Sequence, residues 1–160
     1  LDIKKGLLNF KGVQRRFNKI FTHNDIDFYD DYAHHPTEIK VVLDGVNKVY
    51  KGYDKVCIFQ PHRISRLKDL RKEFSFAFKD ANTVVLCPIY TAGEKYKLGF
   101  NYLKFAKEII KNSKVKLFLV NNNNQLAKFL KKNMFGKKIV IGMGAGSISN
   151  WMRTLPQLMR

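Results

Sequence analysis

Apolar positions along this chain switch repeatedly between two spacings. Short apolar-rich runs recur at Ile26-Asp27-Phe28-Tyr29, Lys55 to Gln60, Thr83-Val84-Val85-Leu86-Cys87, Val115 to Val120 and Lys138 to Ile141. Runs of this length, bounded by turn residues, predict strands. Arg16 to Thr22 can form a further strand, closed by the turn signal His23-Asn24-Asp25. Between the runs, apolar residues space out at helical intervals. Ile39, Val42, Leu43, Val46, Val49 and Tyr50 mark a first long helix from Thr37 onward. Further helices are predicted over about Ser65 to Phe78, Tyr102 to Lys111 and Gln125 to Lys132, with a last one after Ser147. Strands that alternate with helices and are apolar throughout predict an α/β fold. Its sheet is doubly wound and mostly parallel, with helices on both faces and right-handed crossovers.

The polar chemistry collects where strands end. Asp30-Asp31-Tyr32-Ala33-His34-His35-Pro36-Thr37-Glu38 joins the Ile26–Tyr29 strand to the first helix. Pro36 suits a first helical turn, and Glu38 lies near the positive end of the helix dipole. His34 and His35 read either as a solvated loop pair with caps or as part of a site. Pro61-His62-Arg63-Ile64-Ser65-Arg66 follows the second apolar run, Tyr90 to Glu94 the third, and Gly142 to Ser147 the last. In a parallel sheet these loops share the carboxyl edge, where ligands bind. Arg63 and Arg66 suit a carboxylate or phosphate through forked donors, or else a surface ion pair. The Gly142-x-Gly144-x-Gly146 spacing suggests close backbone approach to an anion at a helix start. As a dinucleotide fingerprint it is weak, because no acidic residue follows about twenty positions later.

Composition narrows the classes. The 160 residues fit one domain with a sizeable core, and 45% are hydrophobic. The formal charge of +17 permits a polyanion partner. Lysines on solvated helix faces, such as Lys104, Lys107, Lys111, Lys128, Lys131 and Lys132, account for much of it without one. No zinc spacing, RNP-like aromatic set or Arg-rich arm accompanies the charge, so no nucleic acid is expected. Cys57 and Cys87 read as buried small hydrophobes in a reducing compartment, not as a disulfide. No signal peptide or membrane-length apolar run is seen, so a cytoplasmic protein with no membrane contact is expected. Leu1 to Phe10 forms a short amphipathic segment. The chain lacks a starting Met and is expected to be part of a longer one.

Several blocks occur in a fixed order. They are Gly12-Val13-x-Arg15-Arg16-Phe17, Asp30-Asp31-Tyr32-Ala33-His34-His35-Pro36-Thr37-Glu38, Phe59-Gln60-Pro61-His62-Arg63, Tyr90-x-Ala92-Gly93-Glu94 and Gly144-Ala145-Gly146. Together they resemble the Mur ligase family of peptidoglycan synthesis, and within it the members that add L-alanine to UDP-N-acetylmuramate. The resemblance covers nearly the whole chain. It implies a Rossmann-like C-terminal domain over residues 21–160, preceded in residues 1–20 by the end of a central ATPase domain. It also implies ATP and Mg2+, held mainly by domains not in this chain, with UDP-N-acetylmuramate and L-alanine as the other substrates. By the same resemblance, the muramyl carboxylate is activated as an acyl phosphate and attacked by the alanine amine.

The resemblance also assigns residues. Arg16 would reach the ATP phosphates and Asp31 the ribose hydroxyls. Tyr32, His34, His62, Arg63 and Arg66 would line the alanine and acyl-phosphate side. His34 and Arg63 are the catalytic candidates: a neutral imidazole can take a proton from the amine, and an arginine can stabilise charge on phosphoryl oxygens or grip a carboxylate. Two positions depart from the family pattern. Thr91 stands where Pro is usual. Ser147 stands where Asp is usual, leaving a hydroxyl on the substrate side in place of a carboxylate. No Gly-x-x-x-x-Gly-Lys-Ser/Thr loop is present. The 160 residues alone are therefore expected to be inactive. The competing readings are a tripeptide-recycling muramate ligase, a non-catalytic basic α/β module that binds polyanions, and a stand-alone dinucleotide enzyme.

Overall fold

The computed structural model describes residues 15–95 and 100–160. The Leu1–Phe10 segment and the Gly12-Val13 pair lie outside the described residues. Six strands form one sheet in the order β1-β2-β6-β3-β4-β5. β1 (Asn18–His23) and β2 (Ile26–Asp31) are an antiparallel hairpin. Asn24 and Asp25 turn it with φ of 50° and 60°, the left-handed pair that a two-residue turn between twisted strands needs. All other pairings are parallel: β2 with β6 (Lys138–Met143), β6 with β3 (Asp54–Phe59), β3 with β4 (Thr83–Leu86), and β4 with β5 (Lys116–Leu119). The junction expected at residue 20 falls within β1.

Among the described residues the helices are α1 (Pro36–Val49), α2 (Ile64–Asp69), α3 (Arg71–Phe76), α4 (Tyr102–Ser113), α5 (Asn123–Asn133) and α6 (Ile148–Leu158). Neighbouring residues of one strand serve opposite faces, as the pleat requires. Cys57 and Phe59 of β3 pack with Leu43 of α1, Leu67 of α2, Phe74 of α3 and Phe105 of α4. Val56 and Ile58 of the same strand pack with Leu126 and Leu130 of α5 and Met152 and Leu155 of α6. Helices thus cover both faces, and β6 is inserted between β2 and β3 by a return across the second face. Each fully buried Phe or Leu contributes about 1.5–3 kcal/mol, so burial in the two layers holds the helices on the sheet. Cys57 and Cys87 are buried and unpaired.

Two elements differ from expectation. The helix predicted over Ser65 to Phe78 breaks at Leu70, whose φ of −111° and ψ of 25° end α2 and start α3. Backbone bonds continue through the break, from Leu70 N–H to Arg66 and from Phe74 N–H to Leu70, both at 2.9 Å. The last strand runs on through Gly142 and Met143, because both residues pair with β2 and β3 at once.

Candidate functional site

β2, β3, β4 and β6 end on one edge of the sheet, and the loops that leave them meet there. At the end of β2, Asp31 is 7% exposed and turns its carboxylate back on its own chain. Its two oxygens accept the N–H groups of Phe17 and Ala33, each at 2.8 Å. Burial raises its carboxyl above the ordinary value against the pull of those two donors. His35 caps α1 by accepting the Thr37 N–H, and Glu38 reaches back to the N–H groups of His34 and His35. Burial works against ionised Glu38, but these donors and the two imidazoles hold its carboxyl below the ordinary value. The capping alternative thus describes His35. His34 makes other contacts, with its ring edge-on to Tyr32 at 5.0 Å and to His62 at 5.7 Å.

The β3–α2 loop supplies His62 and Arg63, and the first turn of α2 supplies Arg66. His62 stacks on Tyr90 at 5.6 Å, and its Nδ1 lies 3.3 Å from Arg66 Nη1. Burial, then Arg66, His34 and Arg63, lower its imidazole below the ordinary value. Arg63 has φ 69° and ψ 131°, a region costing about 1–3 kcal/mol for a residue with a side chain. Such a conformation persists only when neighbours over-determine it, and they do. The Arg63 N–H donates to Tyr90 O at 2.8 Å, and the next two N–H groups donate to the Glu94 carboxylate. Hydrogen bonds from Ser65, chiefly its hydroxyl, lower the Glu94 carboxyl. The Arg63 side chain is exposed, and its guanidinium donates to nothing among the described residues.

The glycine-rich loop serves packing. A Cβ on Gly142 would meet Met152 at 2.5 Å, one on Gly144 the Gln60 carbonyl at 2.7 Å, and one on Gly146 the Tyr90 ring at 2.5 Å. The close approach that the glycines permit includes one to this chain's own residues. Buried Gln60 occupies the start of α6: its Oε1 accepts the Ile148 N–H at 2.9 Å and its Nε2 donates to the Ser147 hydroxyl at 3.0 Å. Ser147 thus pairs with Gln60 and stands apart from the imidazole cluster in its bonding.

Of the two consecutive arginines, Arg16 is exposed. It lines an open groove of about 480 Å³ with Phe17, Asp31, Tyr32, Val41 and Val42. Arg15 points inward. It donates to the Gly144 carbonyl, lies 3.8 Å from the buried Asp30 carboxylate, and sits over the Tyr32 ring at 4.8 Å. Asp30 also receives the Ser149 hydroxyl, so it ties β2 to α6 from the side opposite Asp31. The sequence did not single out Arg15, Gln60, Tyr90 or Glu94 for these roles, since their partners lie far away along the chain. The blocks Gln60-Pro61-His62-Arg63 and Tyr90-x-Ala92-Gly93-Glu94 were the available signal.

Among the described residues no group of three or more His, Cys, Asp or Glu side chains could hold a metal ion, and no helix is long and apolar enough to cross a membrane. A second cavity of about 500 Å³ opens at the opposite, amino-terminal edge beside Lys114, Lys116 and Lys138, away from this chemistry.

Known proteins carry the same frame. A family model described as "Mur ligase, glutamate ligase domain" matches residues 15–146. A UDP-N-acetylmuramate–L-alanine ligase of Pelagibacter ubique is 71% identical over 156 residues, covering 98% of this chain and 34% of the relative. The enzyme of the same name from Bartonella tribocorum is 38% identical over 96% of this chain and 32% of its own length. The crystal structure of UDP-N-acetylmuramate-alanine ligase from Thermotoga maritima superposes with a TM-score of 0.71 at 27% identity, covering 96% of this chain and 31% of that one. The chain spans about a third of the length of the curated relatives it matches. With the sheet, the loop blocks and the family match in agreement, the chain belongs to the Mur ligase family and carries its glutamate ligase domain.

Proposed function

We propose that this chain is the C-terminal third of an ATP-dependent ligase that joins L-alanine to UDP-N-acetylmuramate in peptidoglycan synthesis, in the cytoplasm. The observation that carries the reading is the 71% identity, over 98% of the chain, to a relative of that name. In the reaction the γ-phosphoryl group of ATP passes to the muramyl carboxylate. The alanine nitrogen then attacks the acyl carbon and phosphate leaves. In this reading the phosphate-cradling loop, the Mg2+ site and the UDP site belong to the other domains of the full-length protein, residues 1–20 being the end of the central ATPase domain and residues 21–160 the C-terminal domain.

The residues present fit their share of the ligands. The groove beside Asp31 has apolar walls in Phe17, Val41 and Val42, which suits a nucleobase. Each Asp31 oxygen already accepts one N–H, but a carboxylate has about four acceptor sites, so both retain capacity for ribose hydroxyls. Arg16 at the rim supplies charge for phosphate oxygens. Arg63 offers a planar fork, which donates to nothing among the described residues, to a carboxylate or acyl phosphate, with Arg66, His62, Tyr32 and His34 around it. The Ser147 hydroxyl, held by Gln60, closes the substrate side.

The reading is tested by ADP release from the full-length protein with MgATP, omitting UDP-N-acetylmuramate or L-alanine in turn. Release that requires both substrates supports it. Equal release without alanine contradicts it.

A further inference from the structure

We propose that His34 and His62 are held in opposite neutral tautomers, so that the first presents a lone pair and the second an N–H to the amino-acid pocket. The tautomers follow from hydrogen bonds alone. What the pair does with them rests on the alanine-adding reading.

A guanidinium can only donate. Arg66 Nη1 lies 3.3 Å from His62 Nδ1, so that nitrogen accepts, and the neutral ring carries its proton on Nε2. The partners of His34 impose the reverse. Its Nδ1 lies 3.0 Å from the Tyr32 carbonyl oxygen and 3.4 Å from a Glu38 carboxylate oxygen. Both oxygens only accept, so Nδ1 of His34 carries the proton and Nε2 bears the lone pair. The rings stand edge to face, 5.7 Å apart.

The groups around the pair keep the two states apart. Around His34 these are Tyr32, Glu38 and His62. Around His62 they are Arg66, Arg63, His34, Tyr90 and Glu94. A second proton on His62 would land on Nδ1, against Arg66, and burial also opposes it. A second proton on His34 goes to Nε2 and leaves both Nδ1 contacts in place. The His34 imidazolium then faces the Glu38 carboxylate, and nothing need reorient. His34 is thus suited to take the proton that alanine's ammonium must lose. One N–H bond breaks, its electron pair stays on nitrogen to attack the acyl carbon, and the proton passes to Nε2. His62 keeps its proton and donates Nε2–H to the alanine carboxylate or the acyl phosphate. Glu38 and Arg66 are positioning residues, acting through the rings.

The test is nitrogen-15 NMR of the chain labelled at its histidines, at a pH about two units above the ordinary imidazole value of 6.5. His34→Gln and His62→Gln spectra assign the signals. The expected result is His34 protonated at Nδ1, the minority form of free imidazole, and His62 protonated at Nε2. Arg66→Met should release His62 into a tautomer mixture while leaving His34 unchanged. The same tautomer at both rings, or averaging at either ring of the unmutated chain, would overturn the proposal. The spectrum decides this whether or not the full-length protein ligates alanine. A second arm reads function by steady-state kinetics of the full-length protein. His62→Gln, which keeps a donor near Nε2, should hold the alanine KM within about threefold, while His62→Ala raises it at least tenfold. His34→Gln should lower kcat about a hundredfold, the scale of general-base catalysis, with little change in the alanine KM. Equal losses in KM for the two His62 variants would contradict the donor role.

Discussion

Glu94 closes the amino end of α2 through Ser65. One carboxylate oxygen accepts the Ser65 N–H at 3.1 Å and the Ile64 N–H at 2.7 Å, and the other accepts the Ser65 hydroxyl. An anion at this end of a helix is favoured by the free N–H groups and by the dipole. The same contact fixes the chain just after Arg63 in its rare conformation. Glu94→Ala should therefore lower the melting temperature and raise the alanine KM several-fold, with a smaller effect on kcat. Thermal melts and steady-state kinetics check both. The sign of the pH effect follows from the lowered carboxyl. Its stabilising contribution is present above the ordinary value of 4.5 and is lost as pH falls through the lowered one. The stability gap between wild type and Glu94→Ala should thus shrink below about pH 4.5.

Asp31 holds Phe17 and Ala33 through two accepted N–H bonds. Asn in its place can accept only one of them and turns an NH2 group towards the other. A buried donor left unpaired costs about 1–3 kcal/mol, so Asp31→Asn should lose stability of that order in urea unfolding. In the full-length protein it should raise the ATP KM more than the alanine KM. An unchanged ATP dependence with the fold intact would leave Asp31 as a loop cap alone.

Gly146 has no room for a side chain, since an added Cβ falls 2.5 Å from the Tyr90 ring and 2.7 Å from Gln60 Oε1. Gly146→Ala should cost about 1–3 kcal/mol, as overpacking does. Because Tyr90 stacks on His62, it should also disturb the imidazole signals by NMR. Gly142→Ala meets only the flexible Met152 side chain and should cost less.

The alternation of strands and helices was legible because the central strands are apolar on both faces, as in Val56-Cys57-Ile58-Phe59, where alternate residues feed two separate cores. The break at Leu70 was not. It lies where α3 turns to pack on α4, and Arg71 there pairs with Glu108 at 2.6 and 3.0 Å, 37 residues away. The extension of β6 through Gly142 was hidden by its glycine, which reads locally as a turn but here makes room for Met152. The gathering of polar loops on one edge followed from the parallel pattern. The cap of Glu94 on α2 and of Gln60 on α6 did not, because each joins segments 29 to 88 residues apart. Arg15 and Arg16 are indistinguishable as letters. The backbone, with φ 63° at Arg15 and 49° at Phe17, sends one inward and leaves the other at the groove.

The Arg63 guanidinium donates no hydrogen bond among the described residues. Lys keeps the charge and loses the planar geometry, so the two substitutions separate these contributions. Arg63→Lys should weaken alanine use in the full-length protein markedly, and Arg63→Ala further. Removing one partner of a desolvated charge pair costs about 2–5 kcal/mol. Alanine-dependent kinetics at saturating ATP and UDP-N-acetylmuramate check this, with circular dichroism as the folding control. Values within about twofold of wild type for both variants, roughly 0.4 kcal/mol, would make Arg63 a surface residue and move the amino-acid pocket elsewhere.

In the proposed function the loops on this edge select free L-alanine as the amine. The direct measurement is a competition. The full-length protein is given MgATP and UDP-N-acetylmuramate with equal concentrations of L-alanine and the L-alanyl-γ-D-glutamyl-meso-diaminopimelate tripeptide. Products are identified by mass. The expected dominant product is UDP-N-acetylmuramoyl-L-alanine, abolished by omitting ATP. Dominant tripeptide adduct, or no amide from either amine with ATP present, would contradict it.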